Sequence, residues 1–156
     1  MNYPKKYVLN ILFNEQRTKC LMQLKDRTVF AGKYNFPGGK VNTGRETADE
    51  AALRELAEET GVTRAESPNF HWIGAITVLR DCVDPLTIHH AELVFYAGTV
   101  DEAVPAQQPG ETERLEWMTF EEVGRMRDKD MLAGNGEVDY FLRVARREFP
   151  PERAGK

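Results

Sequence analysis

The stretch from Thr47 to Gly61 constrains the fold more than any other part of the chain. Thr47-Ala48-Asp49-Glu50 is a capping box. In such a box the threonine hydroxyl accepts from the glutamate backbone N–H, and the carboxylate reaches back to the cap. Behind it, Ala48, Ala52, Leu53, Leu56 and Ala57 recur at helical spacing, and Gly61 is the left-handed stop. One helix over 48–60 is predicted. The segments around it read as strands: Tyr7 to Phe13 and Lys19 to Leu24, with Asn14-Glu15-Gln16 turning between them. Gly32 marks a turn, and Tyr34 to Gly39 is a short extended piece broken by Pro37-Gly38-Gly39. His71 to Leu79 and Leu86 to Val100 are strand-like, the second one central. A loop from Asp101 to Gly110 leads to a short strand at Leu115-Glu116-Trp117.

Two more helices close the chain. A second capping box, Thr119-Phe120-Glu121-Glu122, opens a helix running to about Arg127. Val138 to Phe149 is amphipathic, with Tyr140, Phe141 and Val144 on one side, arginines on the other, and Pro150-Pro151 beyond its end. Strands and helices mix without a βαβ alternation, so the expected class is an α+β sandwich and not a doubly wound sheet.

Length and composition set limits. The 156 residues suit one domain over 1–156, large enough to fold without disulfide or structural metal. The formal charge of −4 argues against a general nucleic-acid binder, because phosphate backbones are held by clustered Lys and Arg. No apolar run reaches the roughly 18 residues of a membrane helix. The start, with Tyr7 to Phe13 as its apolar stretch, lacks the long core and cleavage site of a signal peptide. Cys20 and Cys82 read as reduced thiols. The expectation is a cytoplasmic protein, monomeric or homodimeric, with no membrane partner.

The helix has an electrostatic oddity. Glu50–Arg54 and Arg54–Glu58 fit an ordinary solvated face, but Glu55, Glu58 and Glu59 stand at i, i+3 and i+4. Like charges at that spacing cost roughly 0.2–0.5 kcal/mol per pair. The carbonyl end of the helix disfavours an anion by about 0.3–1 kcal/mol more. A hard divalent cation held by oxygens is the simplest candidate to offset this repulsion. Gly38-Gly39 lets backbone approach a ligand closely, and Lys40 follows within reach of phosphate oxygens. Mg²⁺ usually binds through a few carboxylates plus substrate phosphates. The pattern therefore reads as a site for a metal-bound polyphosphate, with ion and substrate binding together.

Gly39 through Glu46, then seven residues, then Arg54-Glu55-Leu56-Ala57-Glu58-Glu59-Thr60-Gly61-Val62, resembles the Nudix box. The second half matches the family pattern at every fixed position. One departure is plain: six residues separate Gly39 from Glu46 where the family has five, an insertion in the loop before the helix. The resemblance implies a Nudix-like α/β/α sandwich with a mixed β-sheet and a loop-helix-loop metal site. It implies that Gly38 offers a carbonyl to Mg²⁺ or Mn²⁺, that Glu55, Glu58 and Glu59 are ligands, and that Arg54 orients them. Glu55 is the candidate general base. A downstream acid completes such sites shortly before a Trp. Glu111 stands six before Trp117 and Glu113 four before it, and Glu111 is preferred because it sits at the loop tip after Pro109-Gly110.

The implied reaction is hydrolysis of a nucleoside diphosphate linked to another group. Tyr34-Asn35-Phe36-Pro37-Gly38-Gly39-Lys40 is similar to the MutT-type branch, whose members include oxidised-purine nucleotide diphosphatases. Asn35 is the candidate base reader, since a carboxamide has the donor and acceptor a purine edge needs; the alternative is that it merely turns the chain before Pro37. Lys25 is a candidate phosphate contact or a solvated surface lysine. The expected substrate is an ordinary or oxidised purine nucleoside triphosphate. ADP-ribose, a nucleotide sugar, a capped RNA end, or a non-catalytic sensor role remain as alternatives. His89-His90 reads as edge or pocket lining, since no partner stands at zinc-ligand spacing. Trp72 and Trp117 read as core or core-edge aromatics, and Tyr140 and Phe141 as core packing, with base stacking as the other reading.

Overall fold

The computed structural model describes residues 5–27, 30–81 and 88–151, with backbone alone for Arg80, Asp81, Ile88 and His89. Cys82 and the expected strand start at Leu86 lie outside the described residues. The elements run β1 (Lys5–Asn14), β2 (Lys19–Leu24), β3 (Tyr34–Asn35), β4 (Gly38–Lys40), α1 (Ala48–Thr60), β5 (His71–Asp81), β6 (Ile88–Val100), β7 (Arg114–Thr119), α2 (Phe120–Asp128) and α3 (Glu137–Glu148). Their order in the sheet is β3-β2-β1-β6-β5, with β4 paired to β1 and β7 to β2. Among the described strands β1 and β6 run parallel and the other strand pairings are antiparallel, so the sheet is mixed. With three helices on its two faces, the fold is α+β.

β1 organises the sheet because its side chains alternate between two cores. Leu9, Ile11 and Phe13 join the core under α2 and α3, which includes Phe95, Val123, Phe141 and Ala145. Val8 and Leu12 join the core under α1, with Ala51, Ala52, Leu56 and Val62. Fully burying a side chain such as Leu56, which is 0% exposed, contributes about 1.5–3 kcal/mol. One edge of β1 pairs with β6 over its whole length, while the other is divided. There β4 takes Tyr7 to Leu9 and β2 takes Phe13. That division seats the Gly38-Gly39 strand directly beneath α1.

α1 has the predicted limits. The Thr47 capping box is formed in both directions, and Gly61 closes the helix at φ 76°. Two further ties hold it to the sheet. Buried Asn10 donates from Nδ2 to the Ala52 carbonyl at 3.1 Å, and the Tyr96 hydroxyl donates to Asp49. The second capping box, at Thr119, is also formed.

One expectation about aromatic packing needs correction, that for Tyr140. The buried stripe of α3 is Val138, Phe141, Leu142 and Ala145, so Tyr140 falls outside it and is 60% exposed. The other two residues of the expected face do pack on the core: Phe141 stacks on Phe95 across the sheet, ring centres 3.8 Å apart, and Val144 lies half-buried against it. Trp72 is 55% exposed, on edge strand β5 at the irregularity between Trp72 and Gly74. Trp117 is half-buried against the α1-side core, its indole N–H donating to the Glu102 carbonyl. No helix of the described residues is long and apolar enough to cross a membrane.

Candidate active site

Beside its buried residues α1 carries Arg54, Glu55 and Glu59, half-buried, and Glu58, exposed. Arg54 is the hub. Its Nε and Nη2 donate to the two oxygens of Glu46 at 2.9 and 2.6 Å, and Nη2 also donates to the Lys40 carbonyl at 3.1 Å. Its Nη1 donates to Glu55 Oε1 at 2.8 Å and to Glu58 Oε2 at 3.1 Å. The guanidinium fork thus meets much of the charge left unbalanced on the helix. The Arg54–Glu58 pair expected at i,i+4 is formed, and Arg54 offsets part of the repulsion inside the chain.

The loop insertion is absorbed locally. Glu46 and Arg45 donate their backbone N–H groups to the Asn42 carbonyl, and Gly44 takes φ 89°, closing a turn over 42–46. Glu46 Oε1 also accepts from the Asn42 N–H at 2.9 Å. The Arg54 hydrogen bonds hold the Glu46 carboxyl down at about 2. The same pairing pushes the Arg54 guanidinium further above its ordinary value.

Glu59 turns toward the strand, its Oε2 accepting from the Gly38 N–H at 3.3 Å. Burial raises its pKa to about 7, against the counter-pull of Lys25 and Gln23. Burial also raises Glu55, though Arg54 opposes it. The glycines are required by space. A Cβ on Gly38 would overlap the Val8 carbonyl, and one on Gly39 would overlap the Glu55 carboxylate.

The opposite wall comes from the pairing of β2 with β7, whose register sets Leu24 against Arg114. The next pair outward is Lys25 and Glu113. Lys25 Nζ donates to Glu113 Oε1 at 3.1 Å and to Gln23 Oε1 at 3.3 Å, and Glu113 Oε2 accepts from the Asp26 N–H. Lys25, Arg27, Gly38, Gly39, Glu55, Glu59, Glu111 and Glu113 line one open cleft of about 310 Å³.

The structure therefore brings Gly38, Glu55, Glu59, Glu111 and Lys25 together. Lys25 is no solvated lysine, its side chain being only 19% exposed. Glu58 does not line the cleft: its side chain is 55% exposed and lies against Arg54. Lys40 is exposed and outside the lining, and Asn35 is buried with Oδ1 accepting from its neighbour's N–H at Phe36. Among the described residues, no three His, Cys, Asp or Glu side chains already converge on one coordinating point. Sequence reasoning missed Gln23 and Arg27. Gln23 was detectable as the one amide in the run Cys20-Leu21-Met22-Gln23-Leu24; Arg27 carried no signal beyond its charge.

Residues 4–138 match the family model of the NUDIX domain. The chain belongs to the Nudix family. Its relatives are of MutT type. The oxidized purine nucleoside triphosphate hydrolase of Danio rerio is 46% identical over 56 residues, 36% of this chain and 35% of that protein. The 8-oxo-dGTP diphosphatase of Escherichia coli K12 is 38% identical over 55 residues, 35% of this chain and 42% of that protein. The chain thus spans well under half the length of the curated relatives it matches. Among solved structures, the Nudix domain of Shewanella oneidensis NrtR complexed with ADP ribose superposes with TM-score 0.73 at 18% identity, covering 95% of this chain and 90% of that one. The MutT protein of Methanosarcina mazei Go1 gives 0.68 at 23%, covering 96% and 99%. These likenesses establish the Nudix fold.

The cleft's donor set suits the divalent ion that the Nudix box implies. Its anionic groups are all carboxylates, two of them on α1 beside backbone with no side chain in the way. Oxygen ligands in small number, with room left for phosphates, are the kind of donor set that suits Mg²⁺ or Mn²⁺.

Proposed function

We propose that this Nudix protein hydrolyses a nucleoside diphosphate derivative with Mg²⁺, a purine nucleoside triphosphate, ordinary or oxidised, being the favoured substrate. The observation that carries the reading is one cleft in which Glu55, Glu59 and Glu111 face Lys25 and Arg27 across the Gly38-Gly39 backbone. Gly38, Glu55, Glu59 and Glu111 are the residues that would hold the ion, with Glu58 beside them on the helix. When bound, the ion supplies charge neutralisation for the polyphosphate and its transition state. Glu55 is the base: Arg54 occupies its Oε1 and leaves Oε2 for a proton from the attacking water. The water oxygen bonds to phosphorus, the bridging P–O bond breaks, and its electrons leave with the departing phosphate. Lys25 and Arg27 bring positive charge to the phosphates. Local similarity to proteins named for oxidised purine nucleotides supports the substrate class. With one lone pair of its oxygen on the Phe36 N–H, Asn35 keeps its amide donors and a second lone pair for a base edge.

The test is release of pyrophosphate and phosphate, with and without Mg²⁺, from the eight common nucleotides, 8-oxo-dGTP, ADP-ribose and a nucleotide sugar. Pyrophosphate from one purine triphosphate supports the reading. Turnover of ADP-ribose or the sugar nucleotide instead would keep Nudix chemistry and discard the substrate. Tight binding without turnover would make the protein a sensor.

The two glycines separate folding from function. Gly38→Ala forces a backbone against backbone and will lower the thermal midpoint, at a cost of about 1–3 kcal/mol or more. Gly39→Ala meets only the flexible end of Glu55, so the midpoint will hold while turnover drops. Paired melting curves and rates check both; equal loss of stability in the two variants would contradict the assignment.

The pH dependence has a definite sign. Glu59 titrates near 7 in the folded chain, against an ordinary 4.5. Between those values the folded state binds more protons than the unfolded state, so the contribution is present below about 4.5 and is lost as pH rises through 7. Binding of a cation requires the ionised carboxylate and reverses the trend. Melts should show a Mg²⁺-induced stabilisation that grows from pH 5 to 7.5. A shift that stays flat over that window would remove Glu59 from the ion's ligands.

A further inference from the structure

Among the described strands β7 pairs only with β2, so its other edge carries backbone groups without a ladder partner. One side chain takes them up. Gln107, in the loop before β7, donates from Nε2 to the Glu111 carbonyl at 2.7 Å and to the Glu113 carbonyl at 3.1 Å. Its Oε1 accepts from the Leu115 N–H at 3.3 Å. The amide thus meets backbone at alternate residues 111, 113 and 115, where a neighbouring strand would otherwise bond.

This pattern needs this residue type. Among side chains only a carboxamide offers two N–H donors and a carbonyl acceptor together; a carboxylate has no donor, and an ammonium has no acceptor. Packing beneath this part of the loop is thin. An open hollow of about 450 Å³ lies between the loop and the sheet, lined by Leu21, Pro105, Ala106, Leu115 and Trp117 among others. A second tie lies one residue back, where the Ala106 N–H donates at 3.0 Å to the carbonyl of Thr60, the last residue of α1. Through these bonds the helix that carries Glu55 and Glu59 is joined to the backbone that carries Glu111 and Glu113. All four carboxylates line the one cleft.

We propose that Gln107 is a positioning residue that holds Glu111 at the cleft by clamping its backbone to the loop tied to the end of α1. The proposal rests on the metal-site reading above, in which Glu111 is a ligand. Without the clamp, the donor set is unchanged but the ion must order the loop as it binds, and that loss of freedom opposes binding. Partners behind a ligand typically change metal affinity 10–100-fold when removed.

The variant is Gln107→Met, which keeps the reach of the side chain and removes the amide. Three measurements test it. The first is amide-proton exchange at Leu115 in the metal-free protein. The second is Mn²⁺ binding without nucleotide, followed by the spin-resonance signal of the free ion. The third is the same binding for Gln107→Met made in a Glu111→Gln background. Leu115 should exchange faster in the variant while the thermal midpoint moves little, since Gln107 is exposed. Mn²⁺ affinity should fall about tenfold. In the Glu111→Gln background the same substitution should cost far less, because the carboxylate it positions is gone. Unchanged exchange at Leu115 would overturn the clamp. Faster exchange with unchanged Mn²⁺ affinity, wild type binding normally, would leave Gln107 a structural tie and overturn the positioning role. An undiminished loss in the Glu111→Gln background would also overturn it, since Gln107 would then act through some other residue. Absence of Mn²⁺ binding in wild type would overturn the metal-site reading and the role built on it, while exchange at Leu115 would still report the clamp.

Discussion

Glu59→Gln will cut turnover at least about a hundredfold and leave the metal-free thermal midpoint at or above that of wild type. The two effects have opposite signs for one reason. Burial is what pushes this carboxyl up to about 7, so the folded chain is strained by holding a charge there. Glutamine keeps the shape and keeps an oxygen for the Gly38 N–H, but removes the charge. What stabilises the chain without metal is therefore what disables the site. Melting curves with Mg²⁺ plus nucleotide add a second check. A ligand that binds only the folded state raises the midpoint by mass action, and that rise should disappear in the variant. Wild-type-like rates with a normal circular dichroism spectrum would take Glu59 out of the ion's ligand set.

The parts of the fold that are local in the chain were legible in the sequence. Both capping boxes and the Gly61 stop involve groups within a few residues of each other, and α1 and α2 begin where those groups place them. β1 and β2 were legible because each is a short, mostly apolar run with turn residues between them, a pattern that does not depend on which strand it pairs with. What periodicity could not give was the identity of the partners. Lys25 meets Glu113 across 88 positions, and only the β2–β7 register brings them together. The same register puts Glu111 and Glu113 on the same wall, so a choice between them on loop position alone was underdetermined. On α3 the expected Phe141 and Val144 do pack on the core, and only Tyr140, at the rim of that face, is turned out. On the helix itself, spacing correctly put Glu55, Glu58 and Glu59 on one side. It also gave the Arg54–Glu58 pair at i,i+4, but not that the same guanidinium would hold Glu55 while Glu59 turned to the strand.

That guanidinium supports the second large effect. Arg54→Lys will lower kcat about 10–100-fold and lower the thermal midpoint as well. A lysine keeps the charge, but one ammonium cannot replace a planar fork that donates to Glu46 twice, to Glu55, to Glu58 and to the Lys40 carbonyl. Arg54→Met goes further, leaving Glu46, Glu55 and Glu58 around an apolar side chain with no counter-charge. The two roles of Arg54 can be separated by removing the carboxylate it holds most tightly. Glu46→Gln in the Arg54→Met background relieves the like-charge repulsion, so part of the lost midpoint should return. Turnover should not, because nothing then fixes Glu55 for its proton transfer. The substitutions share a partner and are therefore expected to be non-additive in stability. If Glu46→Gln restored the rate together with the midpoint, Arg54 would act only by holding the loop to the helix, and Glu55 would need no orienting partner.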